Sequence, residues 1–270
     1  MTLTILLVAL LVSAGQATTT RPDPLAEARA HYNAGRFDEA AASAIEALAL
    51  PGLGDVARVV LARAELERYR ESREGGSLDA AREALKAVHA DALLPRDRVE
   101  YLVGVGEALY LDDPPRFGAA AEYFELALDA PVPQSPGERE RVFEWWASAL
   151  DREAQFGPAA SRQAVYERIH RGALAEREAH ESSAVVWYWL ALSARGAGDL
   201  DRAWAHAVAG WIHGAQLGAR GTQLRADLDR LVTQVILPQR ARQLAASDGD
   251  PREALAALAA QWDEIKRKWG

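Results

Sequence analysis

The most informative segment of the chain is residues 187–211, which read WYWLALSARGAGDLDRAWAHAVAGW. Apolar residues recur every three or four positions on both sides of Gly198, a spacing that is typical of amphipathic α-helices. A glycine readily adopts the positive φ that ends a helix, and the nearby Asp201 can cap the helix that follows. The segment therefore predicts two helices joined by a tight turn at Gly198.

The same turn recurs along the chain as Gly-x-(Phe/Leu)-Asp-x-Ala. It is found at residues 35–40, 76–81 and 198–203, and in a degenerate form at 115–120. In each copy we expect the glycine to close one helix and the Phe or Leu to fill the turn. The small alanine then lets the second helix pack closely on the first. The chain is thus predicted to repeat one helical hairpin several times.

These motifs resemble the tetratricopeptide repeat (TPR), a two-helix unit that stacks into solenoids. The resemblance is best at residues 32–51 and 187–211. The alanine of the motif recurs at positions 40, 81, 120, 159 and 203, so the successive spacings are 41, 39, 39 and 44 residues. A typical TPR is about 34 residues long, which indicates longer helices or turns in this chain.

Proline positions divide the chain into the same units. Asp-Pro or Ser-Pro pairs at 23–24, 135–136 and 250–251 place a capping residue before a first-turn proline. The predicted hairpins span about 24–50, 55–90, 96–129, 137–171 and 178–216, with a further pair of helices at about 221–247 and an amphipathic capping helix at about 251–268. The predicted fold is an all-α array of antiparallel helix hairpins over residues 18–270, a TPR-like right-handed solenoid with capping helices over 221–269.

The N-terminus has the features of a secretory signal peptide. Residues 3–14 form a mostly apolar run, which is too short to span a bilayer. Small residues allow cleavage after Ala14 or after Ala17, and we take residues 1–17 as the signal. The prediction is a periplasmic or secreted protein with no stable membrane span after cleavage.

The composition excludes several classes of site. The 270 residues include no cysteine, which excludes disulfides, thiolate metal sites and cysteine nucleophiles. The formal net charge of −8 argues against nucleic acid as a partner. The sequence also has neither a phosphate-binding glycine loop nor a nucleophile elbow. We therefore predict no catalytic residues, no metal and no cofactor.

Two histidine patterns fall short of a metal site. His180-Glu181 begins a sequence similar to the zinc-protease motif, but Ala184 stands where the second histidine belongs. His206 and His213 are separated by about 10.5 Å along one predicted helix, which is too far to share a metal. We expect both of these histidines to be surface or groove residues.

Aromatic residues are the best indication of a binding surface. Adjacent residues such as Trp145 and Trp146 lie about 100° apart on a helix, so one of the two should reach a surface. In TPR proteins the first helices of the hairpins form a concave surface that binds extended or helical peptides. By this resemblance the predicted partner-binding residues are Arg29, Tyr32, Asn33, Glu107, Tyr110, Trp146, Arg152, Tyr188, Leu192 and Arg195. The chain has only three lysines, which argues against the Lys/Asn carboxylate clamp of chaperone-binding TPRs.

The leading prediction is an exported, non-enzymatic TPR-like scaffold that binds a protein or peptide partner in the bacterial cell envelope. Two alternatives are also compatible with the sequence. One is a helical envelope hydrolase that acts on cell-wall glycan and depends on Glu107 or Glu181. The other is a structural subunit of a membrane-associated complex, in which exposed tryptophans become buried between subunits.

Overall fold

The structure is a computed structural model that describes residues 23–180, 183–245 and 249–269. Within these ranges the chain is helical and has no strands. None of the helices there combines the length and the apolar composition needed to cross a bilayer. The predicted signal peptide, residues 1–17, lies outside the described residues.

The helices follow one another along the chain with short connections. They are α1 (Pro24–Asn33), α2 (Phe37–Leu48), α3 (Gly54–Ser72), α4 (Gly75–Lys86), α5 (Pro95–Tyr110), α6 (Phe117–Leu128), α7 (Pro136–Phe156), α8 (Ala159–Ala179), α9 (Val185–Gly196), α10 (Leu200–Gly214), α11 (Gly218–Leu231), α12 (Leu237–Ala245) and α13 (Pro251–Trp269). A short 3₁₀ turn, Ala90–Ala92, precedes α5, and a π-helical turn, Val232–Ile236, joins α11 to α12.

Consecutive helices pack against each other as hairpins, from α1 with α2 to α9 with α10. The first helix of each hairpin also contacts the first helix of the next, so that α1, α3, α5, α7, α9 and α11 form one inner layer. Buried apolar residues form a series of clusters along the chain instead of one central core. The prediction of an all-α array of helix hairpins is confirmed.

The turn motif is confirmed at two of its copies and is wrong at a third. Gly35 and Gly198 have φ values of +70° and +89° and end α1 and α9 as predicted. Gly76 instead lies inside α4, and the positive φ of that turn, +61°, belongs to Arg73. The motif does not mark this turn, because its glycine is not the residue with positive φ. An arginine is sterically less favourable in this conformation than a glycine.

Side-chain caps define the starts of several helices. Asp23 accepts a hydrogen bond from the Leu25 amide at the start of α1, and Ser135 forms a capping box with Glu138 at the start of α7. At α10 the capping residue is Asp199, which accepts from the Arg202 amide, and Asp201 lies within the first turn. The predicted cap was therefore two residues too late at this helix.

The pair of helices predicted at 221–247 is present as α11 and α12, but the two do not form a hairpin. α11 continues through the π-helical turn into α12 without reversing direction. α13 then returns along this long helix and packs on α10 and α12. Trp262 of α13 is buried between the rings of Trp204 and Trp211, at centroid distances of 5.6 and 5.3 Å. α13 thus covers the end of the array, as expected of a capping helix.

Candidate functional site

Two adjoining open cavities lie along the inner layer of helices. The first, which we call the small cavity, has a volume of about 190 Å³ and is lined by α1, α3, α5, α7 and Gln134. The second, the large cavity, has a volume of about 890 Å³ and is lined mainly by α7, α9 and α11, with contributions from the ends of α3 and α5. Arg70, Arg141 and Trp145 border both cavities. We call the surface that joins them the inner groove.

The small cavity is lined by many charged side chains, of which only some are paired. Its charged residues are Arg29, Arg63, Glu67, Arg70, Arg96, Glu100, Glu107, Glu138 and Arg141. Ion pairs join Arg29 to Asp97 at 2.5 Å and Arg70 to Glu67 at 3.0 Å, and Arg96 is paired with Glu138. No side-chain hydrogen bond or ion pair joins Arg63, Arg141 or Glu107 to another described residue.

Glu107 is the most unusual of these groups. Its side chain projects from the last turn of α5, is only 3% exposed, and leaves Oε2 without a hydrogen-bond partner. Burial raises the pKa of this carboxyl to about 7, although Arg63, Arg70 and Arg141 favour its ionised form. A strongly perturbed carboxyl in a cavity is a common feature of functional sites.

Aromatic rings form the rest of the small cavity's wall and hold two of the arginines. The guanidinium of Arg63 lies 4.7 Å from the centre of the Tyr32 ring, and that of Arg70 lies 5.0 Å from the Trp145 ring. Burial raises the pKa of Tyr32 to about 12, so this phenol stays neutral. These contacts position the arginines at the cavity without neutralising their charge.

The large cavity combines aromatic and charged residues. The Tyr110 and Trp145 rings meet edge-to-face at 5.0 Å, and Tyr188 meets Trp189 in the same way at 5.5 Å. Leu192 adds an apolar side chain beside them. Tyrosine, tryptophan and arginine are the residue types that most often dominate binding energy at protein interfaces.

Carboxylates of α7 line the large cavity. Glu140 accepts hydrogen bonds from the amides of Ala184 and Val185 and from Arg220. It therefore caps the N-terminus of α9 and also links α7 to α11. Glu144 and Asp151 lie further along the same helix, and burial raises the pKa of both. The cavity thus presents charges of both signs to a ligand.

Most of the residues predicted for partner binding do lie in the inner groove. Arg29, Tyr32, Asn33 and Glu107 line the small cavity, and Tyr110, Arg152, Tyr188 and Leu192 line the large one. The partner-binding role of these residues stays a prediction. The structure nevertheless brings together, along one surface, side chains from four different hairpins.

Trp146 and Arg195 are placed elsewhere. Trp146 is buried against α8, where the absence of a side chain at Gly172 leaves room for its ring. Its neighbour Trp145 faces the groove instead. The prediction that Trp146 lies on the binding surface is therefore wrong, and Trp145 takes that place. Arg195 donates a hydrogen bond to Gln239 of α12 at 3.0 Å and is not among the side chains that line either cavity.

The contribution of α3 was missed by the sequence reasoning. Arg63, Glu67 and Arg70 recur at intervals of four and three residues, which places them on one face of the helix. This spacing could have identified them. The apolar residues of α3 are distributed around the helix because both of its sides are packed against neighbours, and this conceals the polar face.

Three histidines, His170, His206 and His213, pack between helices and line neither cavity. The rings of His170 and His206 lie 5.2 Å apart, and burial, reinforced by His170, lowers the pKa of His206 to about 4. His213 packs against the Trp187 ring at 5.5 Å. His206 and His213 are both partly buried, so of the two expected positions the groove is excluded and a partly exposed position between helices is what the structure shows.

Neither the other candidate residues nor the comparisons with known proteins identify a function. Glu181 lies outside the described residues, and no three potential metal ligands converge within the described part of the chain. No family model, no curated protein and no solved structure matches this protein. Within the described residues, the inner groove is therefore the main indication of function.

Proposed function

We propose that this protein is an exported, non-enzymatic TPR-like scaffold that binds a segment of a partner protein in its inner groove. The observation that carries the proposal is the continuous inner layer of six first helices, which borders both cavities. An array of this kind offers an extended concave surface suited to an extended or helical peptide. The apolar sequence of residues 1–17 supports export to the cell envelope.

The large cavity supplies the chemistry expected of such a surface. Trp145, Tyr188 and Leu192 present partly buried apolar area, while Arg152 and Glu144 provide charges at its edges. An aromatic or aliphatic side chain of the partner would be held among the rings, and flanking charged residues would determine its register. We therefore expect a partner segment that combines one bulky apolar residue with charges of both signs.

The test is affinity purification of the tagged protein from its native envelope fraction, compared among three forms. The first is the natural sequence, and the second carries Tyr188→Ala and Leu192→Ala in the large cavity. The third carries Ile45→Ala and Leu126→Ala, which remove apolar side chains that are each 56% exposed on the second helices α2 and α6. Helix content and melting temperature establish that all three forms are folded.

The proposal predicts one strongly enriched protein that is retained by the natural and outer-face forms and lost from the groove form. The dissociation constant of the purified pair should rise by about tenfold or more in the groove form, because hot-spot truncation typically costs 2 kcal/mol or more. Equal recovery of the partner by the groove and outer-face forms would place its binding surface elsewhere on the array.

A further inference from the structure

The small cavity concentrates buried polar atoms that have no partner. Among the described residues, four that line it each carry such an atom: Nε of Arg29, Nε of Arg63, Oε2 of Glu107 and Oε1 of Gln134. Two of these atoms are donors and two are acceptors. Buried polar groups in folded proteins are nearly always hydrogen-bonded, so a cluster of unpaired ones in a single cavity needs an explanation.

The donor and acceptor chemistry of these four side chains indicates which kind of ligand would complement them. Guanidinium donors preferentially bind carboxylates, while a glutamate and an amide oxygen both accept from an ammonium group. A ligand that satisfies all four must therefore carry an anionic acceptor and a cationic donor together. A single anion would leave Glu107 unsatisfied, and a single cation would be repelled by Arg63 and Arg141.

The size and charge of the cavity further limit the possible ligands. Its volume is about 190 Å³, and a cavity of about 150 Å³ already accommodates one benzene molecule. Five arginines and four glutamates line it, so these side chains carry one positive charge in excess when Glu107 is ionised. A small zwitterion with one additional negative charge would compensate this excess.

We propose that the small cavity binds a free acidic amino acid, with its α-carboxylate at Arg29 and Arg63 and its ammonium at Glu107 and Gln134. The side-chain carboxylate of the ligand would then face Arg141, on the border with the large cavity. This site is a small-molecule site, and it does not depend on whether the large cavity binds a partner protein.

The site also predicts a pH dependence of affinity with a definite sign. The ionisable groups that influence Glu107 are Tyr32 on α1, Arg63, Glu67 and Arg70 on α3, and Arg141 on α7. With these neighbours Glu107 has a pKa of about 7, and an ammonium ligand binds its ionised form. Affinity should therefore rise by about tenfold or more between pH 5.5 and pH 8, as the ionised fraction increases. A ligand held only by its negative charges would show the opposite trend.

The experiment is calorimetric titration of the purified full chain with L-glutamate and L-aspartate at pH 5.5, 7 and 8. The two matched probes are N-acetyl-L-glutamate, which lacks the ammonium, and the α-amide of L-glutamate, which lacks the α-carboxylate. We expect a dissociation constant below about 1 mM at pH 8 for at least one of the amino acids. Each matched probe should bind at least about tenfold more weakly.

Three variants connect this binding to the cavity. Glu107→Gln should weaken binding and abolish its pH dependence, and Arg63→Met should weaken binding at every pH. Glu71→Gln, which makes the same change at an exposed position of α3 that lines neither cavity, should leave the affinity as it is. The proposal is overturned if neither amino acid binds, if N-acetyl-L-glutamate binds as tightly as L-glutamate, or if Glu107→Gln keeps the natural affinity and pH profile.

Discussion

Glu107 illustrates a conflict between one side chain and the fold that holds it. Its neighbours along α5, Gly106 and Ala108, belong to the packed side of the helix, and the carboxyl is buried with them. Among the neighbouring charges Arg63 favours the ionised form most, but it stacks on Tyr32 and forms no ion pair with the glutamate. The ionised carboxylate thus lacks both water and a direct partner, which destabilises the folded state.

This conflict predicts that Glu107→Gln stabilises the protein in a pH-dependent way. The pKa of Glu107 is about 7 in the folded protein, against 4.5 as its ordinary value. Below pH 4.5 the carboxyl is protonated in both states, so the variant and the natural protein should have similar stability. As the pH rises through 7, the free energy of unfolding of the natural protein falls by up to about 3 kcal/mol, whereas that of the variant does not.

Urea unfolding at pH 4, 6 and 8 measures this difference. Glu71→Gln, which alters an exposed glutamate of α3, is the matched control and should shift stability little at all three values. A stability gain for Glu107→Gln that is the same at pH 4 and pH 8 would contradict the raised pKa.

At the same scale, the two adjacent tryptophans mark the limit of prediction from sequence. Helical geometry correctly required that Trp145 and Trp146 face different environments. Which of them faces the groove depends on Gly172, 26 residues later in α8, because only a glycine there leaves space for the Trp146 ring. A pairing between distant positions of this kind is not visible in the local pattern of either helix.

Helices and their hairpin partners were largely predictable, because proline, glycine and apolar spacing specify them locally. The exception is the C-terminal pair, where no residue breaks the helix between Gly218 and Ala245. An extra residue is accommodated by the π-helical turn Val232–Ile236, and Pro238 lies in the first turn of α12, where it does not interrupt the helix.

Close contact between paired helices predicts a specific intolerance at Gly106. A Cβ atom at this position would lie 2.6 Å from the ring of Phe124 on α6, and that ring is completely buried. Gly106→Ala should therefore lower the free energy of unfolding by about 1–3 kcal/mol, as overpacking usually does. Gly76→Ala is the control, because a Cβ there meets nothing within 4 Å.

Since Gly76 is helical and unobstructed, its replacement by alanine should raise stability by up to about 1 kcal/mol. Thermal and urea unfolding of the two variants measure these opposite shifts. If Gly106→Ala were neutral, α5 and α6 would be packed less tightly than the structure shows.

At the scale of the whole molecule, stability is distributed among neighbouring hairpins. The cluster built by α1, α2 and α3 shares no buried residue with the cluster that α13 closes. The two are connected only through the intervening hairpins, mainly by the cluster that spans α5 to α9. Arrays of this kind unfold approximately as a chain of units with nearest-neighbour coupling. A destabilising substitution at one end should therefore lower the local stability mainly at that end.

Trp262 allows this distribution to be tested, because it is the largest fully buried side chain of the capping helix. Its ring packs on Trp204 and Trp211, and its Nε1 donates a hydrogen bond to Asp229 at 2.7 Å. Trp262→Ala should remove about 3–5 kcal/mol from the local stability of this region. Hydrogen exchange should accelerate in α10 to α13 and stay unchanged in α1 to α4. Trp269→Ala, at a position that is 42% exposed on the same helix, should alter neither region appreciably. Faster exchange spread evenly over all helices would instead mean that the array unfolds as one cooperative unit, in which a ligand at the small cavity would also protect the C-terminal cap.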